Sequence, residues 1–422
     1  MRALPRALAA PAASILSGGN PMIEIETRKF VAAMEIAGSV VQRGTSIEVL
    51  RQLRLHANGL LSISATDLDM GCEVRLPYSG APASPFLLPE PARIRKAVAH
   101  SGGDSVRVVP GEDGAVSVEA GPLALAAKGV PAGDFPTHGL EALAREDLRC
   151  VLGSAEIAAI GRVARAMSAE ETRYYLNGIF LHALDDWTVR AVATDGHRLF
   201  WANLKIPGAM MARDRFTGVI LPRGLINLVL RRFKRAEEVA LVVGVPLPFN
   251  AVEVAEGTAP ARGINPRVAL AANLGDLLVS FRSKTIDGTF PDYTRVIPEA
   301  HEYRVVLDIA TLRRALLSLV ASSAAKRPDV TIRHEGGELR CSIATDWGGK
   351  DSRACASVVM LECLGLPEGY QIAFNGRYLL DCLNSCRGAR AIFGLNGGMA
   401  PASIAGDEDA GDFGMVVMPV RT

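Results

Sequence analysis

The residues best suited to chemistry in this sequence stand together in one short segment, Thr194-Asp195-Gly196-His197-Arg198. An aspartate two positions before a histidine could orient the imidazole for acid–base catalysis, or the two side chains could bind a metal ion. A metal centre needs a third ligand and covalent catalysis needs an activated nucleophile, and the surrounding sequence offers neither. There is also no phosphate-binding loop of the Gly-x4-Gly-Lys-Ser/Thr kind and no Gly-x-Gly-x-x-Gly after a strand. We therefore expect no catalysis, no cofactor and no metal ion.

The cysteines favour a reducing compartment. There are seven, an odd number with irregular spacing in a long chain, which is not the pattern of a secreted disulfide scaffold. Cys382 and Cys386 would share a helix face, but no histidine pair at zinc-ligand spacing accompanies them, so we interpret them as buried structural thiols. No apolar run reaches about 18 residues, the length that predicts a membrane span. We expect a cytoplasmic protein that does not bind a membrane.

Length and charge limit the kind of partner. At about 150 residues per domain, 422 residues predict two or three domains. The 46 basic and 45 acidic residues leave a net charge of +1. A protein that binds nucleic acid over its whole surface would be far more basic, so that class is excluded. Any contact with nucleic acid must then come from one basic face, balanced by acidic surface elsewhere.

A threefold internal repeat organises the chain. The tripeptide Ala-Thr-Asp occurs at 65–67, 193–195 and 344–346, each time after a strand-like stretch. Two amphipathic helical patterns recur in step with it. The first helix of each repeat is predicted at 26–41, 153–168 and 308–323, and the second at Pro91–Ala99, 223–233 and 375–386.

Short alternating strands and glycine-rich turns fill the rest of each repeat. The motif Asp134-Phe135-Pro136 closes the first repeat and Thr289-Phe290-Pro291 closes the second. We therefore predict an α+β fold of three repeated domains, each with two helices packed on antiparallel sheets. The domains are placed at 22–146, 147–300 and 301–422, with a loop insertion near 244–273. We expect residues 1–21 to be a disordered extension or the result of a start site placed too early.

Three segments carry a resemblance to a known family. Residues 172–200 (TRYYLNGIFLH followed by ATDGHRLF), 283–298 (SKTIDGTFPDYTRVIP) and 416–421 (VVMPVR) resemble the bacterial DNA polymerase III β subunit, the sliding clamp. The resemblance implies a three-domain protomer that dimerises head to tail into a ring, with helices around a central hole. It also implies a non-catalytic processivity factor that encircles duplex DNA and tethers polymerase. The expected partners are double-stranded DNA, the polymerase III catalytic subunit, other polymerases and the clamp loader.

Candidate DNA contacts follow from the helices and from the resemblance. The inner helices of such a ring need positive charge to attract phosphates without reading bases. Arg93 belongs to the basic residues of the second helices. The resemblance implies DNA contacts at Arg43, Tyr174, Tyr175 and Arg223.

The resemblance also implies a pocket for a short partner motif that contains a glutamine and bulky apolar residues. Its lining would offer a concave apolar surface with polar groups at the rim. The matching residues are Leu176, Thr194, Gly196, His197, Arg198, Leu199, Pro291, Val296, Val416, Met418, Pro419, Val420 and Arg421. Ring closure would pair the first domain of one protomer with the third of the next, with Leu123, Leu125, Leu319 and Val320 as candidate contacts.

One alternative within the family stays open. Glu170 stands where the family often has a polar DNA contact, and an acid there would weaken phosphate binding. Together with the insertion and the N-terminal extension, it is compatible with a specialised clamp paralogue. Such a paralogue, or a clamp-like adaptor, would bind replication or repair proteins without acting as the main replicative clamp.

Overall fold

The computed structural model describes residues 21–42, 44–137, 140, 143–246, 266–346, 352–409 and 411–421. The predicted DNA contact Arg43 and residues 247–265 of the predicted insertion lie outside the described residues. The described chain forms two compact units. The first unit comprises the residues up to Ile157 together with Ile206–Thr285, and the second comprises Ala158–Lys205 together with the residues from Ile286 onward.

The helices form where the repeat predicts them. The α-helices of the described chain are α1 Thr27–Ala37, α2 Pro91–Ala99, α3 Ser154–Val163, α4 Arg223–Arg232, α5 Ile309–Ala321 and α6 Gly376–Leu383. Their starts follow from local chemistry. Asp308 accepts a hydrogen bond from the backbone N–H of Thr311, and Asn375 accepts one from that of Arg377, so both residues cap orphan amides. Pro91 occupies the first turn of α2, where its missing N–H costs nothing.

The strands fill the intervals between the helices. In the first half of the chain they are β1 Ile23–Glu26, β2 Leu53–Asn58, β3 Leu60–Thr66, β4 Met70–Leu76, β5 Ser79–Gly80, β6 Ala83–Leu88, β7 Ser105–Pro110, β8 Ala115–Ala120, β9 Leu123–Lys128, β10 Leu143–Gly153, β11 Gly178–Ala183, β12 Thr188–Thr194 and β13 Arg198–Lys205. They continue as β14 Met210–Met211, β15 Val219–Pro222, β16 Glu238–Pro246, β17 Arg267–Leu274, β18 Leu277–Lys284, β19 Tyr303–Asp308, β20 Asp329–Glu335, β21 Glu338–Ala344, β22 Arg353–Leu364, β23 Gln371–Asn375, β24 Arg390–Leu395, β25 Ala402–Gly406 and β26 Phe413–Val417.

Antiparallel sheets dominate both units. The first unit has one sheet in the order β5-β1-β7-β8-β9 and another in the order β14-β10-β16-β17-β18-β4-β3-β2-β6. In the second unit the order is β11-β12-β13-β26-β25-β24-β19-β22-β21-β20-β23. Helices α1 and α2 pack on each other, and α1 packs on β3 and β4; α5 and α6 form the equivalent pair, with α5 against β21 and β22. The predicted α+β architecture with helix pairs on antiparallel sheets is confirmed.

Strand pairing crosses the boundaries between repeats. In the first unit β18 pairs with β4, placing Phe281 opposite Cys72. In the second unit β13 pairs with β26, placing Phe200 opposite Met415. The middle repeat therefore contributes strands to both units, which is why the compact units do not coincide with the repeats.

The first two copies of the Ala-Thr-Asp tripeptide lie in turns between paired strands. Between β12 and β13, Thr194 Oγ1 accepts from the N–H of Gly196 at 3.0 Å and donates to the carbonyl of Arg198 at 2.7 Å. Between β3 and β4, Thr66 Oγ1 makes the same two bonds, to the N–H of Leu68 and the carbonyl of Met70, both at 3.0 Å. In both copies the threonine side chain takes the place of backbone hydrogen-bond partners in a tight turn.

The third turn position takes a left-handed backbone. Gly196 has a φ of +87°. We expect Gly196→Ala to lower the free energy of unfolding by about 1–3 kcal/mol, because an L-residue is strained there and the new Cβ meets Arg173. That Cβ would lie 2.5 Å from Arg173 Nη1. The measurement is denaturant unfolding. Gly369→Ala is the control, because Gly369 has a φ of +78° with open space around it, so this change adds backbone strain without a steric contact. It should lower the free energy of unfolding by less than Gly196→Ala does. Equal losses at both positions would contradict a specific contact with Arg173.

Candidate functional site

A cavity of about 280 Å³, here the first cavity, opens in the second unit. Four separate stretches of chain enclose it: the single-turn helix at Tyr174–Leu176, the turn between β12 and β13, the segment around the single-turn helix Tyr293–Val296, and the end of β26. The lining residues are Arg173, Tyr175, Leu176, Thr194, Gly196, Arg198, Leu199, Pro291, Asp292, Tyr293, Val296, Val416 and Met418.

A second cavity of about 210 Å³ adjoins the first, since Met418 lines both. It is lined by His197, Arg327, Asn375, Tyr378, Met418, Pro419, Val420 and Arg421. The first and second cavities together are called the cleft below. Every residue that the sequence predicts for the partner pocket lines one of its two parts.

The cleft has a buried apolar floor and an exposed apolar rim. Leu176, Leu199 and Val416 are 2–3% exposed and pack into the core of the unit. Val296 and Met418 are 39% and 37% exposed, although both are large apolar side chains. Exposed apolar surface over a preformed concavity is typical of a site that binds apolar ligand groups.

Arg198 fixes the turn at the base of the first cavity. Its guanidinium donates from Nε to Asp195 at 3.1 Å, from Nη1 to Asp381 at 2.5 Å, and from Nη2 to the carbonyl oxygen of Arg165 at 2.7 Å. Its Cζ also lies 4.4 Å from the ring centroid of Tyr378. Burial alone would lower the pKa of Arg198, but the hydrogen bond that Arg198 donates to Asp381 and the charges of Asp195 and Asp381 outweigh burial and raise it. The residue is a structural anchor with its charge compensated.

The Asp195–His197 pair does not form an acid–base unit. Asp195 Oδ1 accepts from the backbone N–H groups of His197 and Arg198 at 2.9 and 3.1 Å, and Oδ2 accepts from Arg198 Nε. The imidazole of His197 instead stacks on Tyr378, with ring centroids 6.2 Å apart. Across the described residues, no group of three or more His, Cys, Asp or Glu side chains is arranged to hold a metal ion.

Cys382 and Cys386 have the character of structural thiols. Cys382 is buried near the end of α6, Cys386 is half-buried just beyond that helix, and neither forms a disulfide. Burial raises the pKa of Cys382 well above its usual range and raises that of Cys386 to about 12. Both thiols therefore stay protonated at neutral pH and are poor nucleophiles and poor metal ligands.

A hydrogen-bonded aromatic layer supports the first cavity. Tyr293 lines the cavity, and its hydroxyl lies 2.7 Å from His182 Nε2. His182 also lies against Phe180, which stacks on Phe290 with centroids 5.0 Å apart. Burial lowers the pKa of His182, so the ring is neutral and its Nε2 can accept a hydrogen bond from the Tyr293 hydroxyl. This layer holds the segment that presents Val296.

Three of the DNA candidates, Arg93, Tyr174 and Arg223, are exposed, and Tyr175 is half-buried. In the first unit, Arg93 on α2 has a side chain 85% exposed and 3.4 Å from Glu90, and Arg223 is exposed at the start of α4. In the second unit, Tyr174 is 54% exposed and packs edge-to-face on Tyr175, with centroids 5.9 Å apart. Tyr175 also lines the first cavity.

A basic surface surrounds the helix ends of the first unit. Arg51, Arg95, Arg231 and Arg232 line a concavity of about 530 Å³ beside α1, α2 and α4. Glu35 sits among them: it accepts from Arg232 Nη1 at 2.7 Å and lies 3.8 Å from Arg95 Nη1. The hydrogen bond from Arg232 lowers the pKa of Glu35, so this carboxylate is ionised and offsets part of the positive charge.

The ring-closure candidates differ in accessibility. Leu123 and Leu125 are half-buried on one face of β9, the edge strand of its sheet. Leu319 is 2% exposed, so its side chain belongs to the core, and Val320 is half-buried near Gly376. The large apolar side chain of α5 that does reach the surface is Leu317, which is 52% exposed.

Some cleft residues were not predicted. The sequence positions of Arg173, Asp292 and Tyr293 lie next to or near predicted pocket residues. That proximity in the sequence could have indicated that they line the cleft. Arg327, Asn375 and Tyr378 come from other parts of the chain. Only their tertiary positions reveal them, apart from the three-residue spacing that puts Asn375 and Tyr378 on one side of the start of α6.

The threefold α+β repeat, with paired helices on antiparallel sheets, is the architecture of the clamp class of proteins. The family profile for the DNA polymerase III beta subunit, central domain, matches residues 154–292, and that for its C-terminal domain matches residues 294–421. The beta sliding clamp of Caulobacter vibrioides is 30% identical over 407 residues, covering 94% of this chain and 99% of the relative. The beta sliding clamp of Pseudomonas aeruginosa is 28% identical over 405 residues, covering 94% and 99%.

Solved structures agree with these relatives. The crystal structure of the Caulobacter crescentus beta sliding clamp gives a TM-score of 0.79 at 29% identity, covering 96% of this chain and all of that chain. A sliding clamp (DNA polymerase III subunit beta) from Bartonella birtlesii bound to griselimycin gives 0.79 at 26% identity, with 96% of this chain covered. The chain belongs to the beta sliding clamp family, the beta subunits of DNA polymerase III. In the described part of the chain, no helix combines the length and apolar character needed to cross a bilayer.

Proposed function

We propose that this protein is a DNA sliding clamp. It encircles duplex DNA as a head-to-tail homodimeric ring and tethers the replicative polymerase and other DNA-processing proteins through the cleft. The observation that carries the proposal is the cleft itself: separate segments of a clamp-family chain converge on an apolar concavity with a buried floor and an exposed rim. The partners are double-stranded DNA, the polymerase III catalytic subunit, other polymerases and the clamp loader, in the bacterial cytoplasm.

Such a protein works without bond chemistry. A closed ring converts dissociation of the polymerase into sliding, because retention on DNA is topological and needs no tight contact. The inner surface then needs only diffuse positive charge, which acts on phosphates of any sequence. The cleft must accept several partner segments, and the flexible thioether of Met418 suits that requirement.

DNA association should depend on the exposed cations of the first unit. We expect Arg93→Glu combined with Arg223→Glu to weaken binding to linear duplex at least about tenfold at low salt, since each change replaces a cation by an anion. The slope of log K against log salt should fall by about 0.9 per lost phosphate contact. Fluorescence anisotropy over a salt series, on two unrelated duplex sequences, measures both quantities.

The matched control is Arg333→Glu with Arg340→Glu, which makes the same charge change on the β20–β21 hairpin. The mass of the native particle in the same buffer, measured by light scattering, should be twice the 44.8 kDa of one chain. An unchanged salt slope would remove Arg93 and Arg223 from the DNA-binding surface.

A specialised clamp or adaptor is the second candidate. The favouring observation is Glu170, an exposed acid close to Tyr174 in the sequence, which is held by Arg173 through bonds of 2.9 and 2.7 Å. Suppose that Arg93→Glu with Arg223→Glu leaves DNA association unchanged, while Met418→Ala with Val296→Ala abolishes peptide binding. The adaptor function is then the better description. A monomer at every accessible concentration would point the same way, because a monomer cannot encircle DNA unaided.

A further inference from the structure

A row of half-buried polar side chains supports the first cavity. His182 on β11 stands opposite Arg190 on β12, and Arg190 stands opposite Asn203 on β13, so the three side chains share one face of the sheet. Tyr293 lines the cavity, and its hydroxyl lies 2.7 Å from His182 Nε2. This contact ties the wall of the cavity to the sheet.

The contacts of His182 determine which ring nitrogen carries the hydrogen. Nδ1 lies 3.2 Å from the carbonyl oxygen of Ala183, which can only accept a hydrogen bond, so Nδ1 is the donor. Nε2 is then the acceptor, and the Tyr293 hydroxyl donates to it. This arrangement requires the neutral ring, because a protonated imidazole carries hydrogens on both nitrogens and cannot accept.

Arg190 makes a protonated His182 unfavourable. Arg190 donates a hydrogen bond to the Tyr293 hydroxyl, so a protonated His182 would place a second cation at the same oxygen. The other contacts of Arg190 are with neutral groups: Nε donates to Asn203 at 2.8 Å, and Cζ lies 4.4 Å from the ring centroid of Trp201. Burial lowers the pKa of His182, and the charge of Arg190 lowers it further.

The segment that carries Tyr293 depends on this contact. It is a single helical turn, too short to be stable by its own backbone bonds, and Tyr293 is the residue it buries. The carboxylate of Asp292 is bound to Arg295 at 2.8 Å, so it is not available to neutralise a protonated His182. Loss of the hydrogen bond would therefore release the wall of the cavity that ends at Val296, whose side chain is 39% exposed.

We propose that His182 is a positioning residue for the cleft and that partner binding requires its neutral ring, so that acidification releases the partner segment. The proposal rests on the proposed partner-binding function of the cleft and adds a pH dependence to it. His182 acts on the partner through Tyr293, which lines the first cavity.

The test measures peptide affinity as a function of pH. The probe is an acetylated and amidated peptide with a glutamine and two leucines, without ionisable side chains and labelled with tetramethylrhodamine. For the wild-type protein, anisotropy should give a constant dissociation constant above about pH 6.5, and a rise of about tenfold as the pH falls to about 4.5. Tenfold corresponds to a difference of about one unit between the pKa values of His182 in the free and the bound protein. The slope of log Kd against pH should not exceed about one, because one proton is involved.

Variants locate the source of this dependence. His182→Gln keeps a neutral acceptor that cannot be protonated, so its dissociation constant should not change with pH. Tyr293→Phe removes the hydroxyl and should abolish the pH dependence in the same way, which keeps the test valid if His182→Gln does not fold. Arg190→Gln removes the neighbouring cation and should move the loss of affinity to higher pH, an effect that a purely structural role of His182 would not produce.

Two other histidines serve as controls. His334 is a buried histidine of the same unit, with Nδ1 3.0 Å from the carbonyl oxygen of Pro367, and His334→Gln should keep the wild-type pH profile. His197 lines the second cavity and could add a pH dependence of its own. The variant His197→Gln should therefore retain the tenfold loss, whatever its affinity at pH 8.

Several results would overturn the proposal. A wild-type affinity that does not change with pH would do so and would leave the proposed function of the cleft intact. So would a His182→Gln profile that follows the wild type, or a loss that disappears in His197→Gln. If the wild type does not bind the peptide at pH 8 and the variant with Met418→Ala and Val296→Ala is equally silent, the proposed function fails and this proposal fails with it.

Discussion

Met418→Ala combined with Val296→Ala will weaken binding of a polymerase-derived peptide by ~100-fold. These two side chains are the large apolar groups that the cleft leaves exposed, at 37% and 39%. An apolar anchor of the peptide would bury that exposed area. At ~25 cal/mol per Å² the two truncations together remove about 3 kcal/mol of binding free energy. Anisotropy with a labelled peptide measures the loss.

The change should leave the fold intact, since the floor residues Leu176, Leu199 and Val416 keep their buried contacts. Met399→Ala with Leu184→Ala is the matched control, because it truncates a methionine and an aliphatic residue that are 59% and 38% exposed in the same unit. The control should bind as the wild type does. If the variant with Met418→Ala and Val296→Ala keeps both the peptide affinity and the free energy of unfolding of the wild type, the cleft is not the partner site.

Arg162→Leu will cost about 3–5 kcal/mol of the free energy of unfolding. Arg162 on α3 donates to the carboxylate of Asp409 and to the carbonyl oxygen of Ser385, and its Cζ lies 3.5 Å from the centroid of Phe413. The side chains of Arg162 and Asp409 are only 13% and 1% exposed. Burial lowers the pKa of Arg162 while the Asp409 charge opposes that shift. Removing the cation leaves a buried carboxylate without its counter-charge, which is the costly way to break such a pair.

Two comparisons make the result specific. Arg165→Leu removes a nearby arginine that is 44% exposed and 3.8 Å from Asp381, and it should cost about 1 kcal/mol or less. Adding Asp409→Asn to Arg162→Leu should restore part of the lost stability, because the buried charge is then absent. Asp409 also accepts from the backbone N–H of Gly406 at 2.7 Å, so recovery should be incomplete. A loss below about 1 kcal/mol for Arg162→Leu would show that the pair does not hold this region together.

Local signals account for what the sequence predicted well. The helices follow from apolar periodicity and from caps such as Asp308 and Asn375, which act within three residues of themselves. The Ala-Thr-Asp turns follow from bonds between neighbours along the chain. Because these local signals recur three times along the chain, the sequence predicted a fold of three repeats. The motifs at 172–200, 283–298 and 416–421 predicted which segments meet in the cleft.

By itself, the sequence determined the elements, their order and the identity of most cleft residues. Only the tertiary structure decided how the repeats share strands, through β18 with β4 and β13 with β26. It also decided that Leu319 is buried, and that Arg327 and Arg421 line one cavity with Tyr378. The carboxylate of Asp195 pairs with the guanidinium of Arg198 and not with the imidazole of His197, which again only the tertiary structure shows. The physical reason is that helix caps and turns depend on residues a few positions apart. Burial, ion pairing and strand pairing depend on residues brought together from distant parts of the chain, and no local pattern encodes that partner choice.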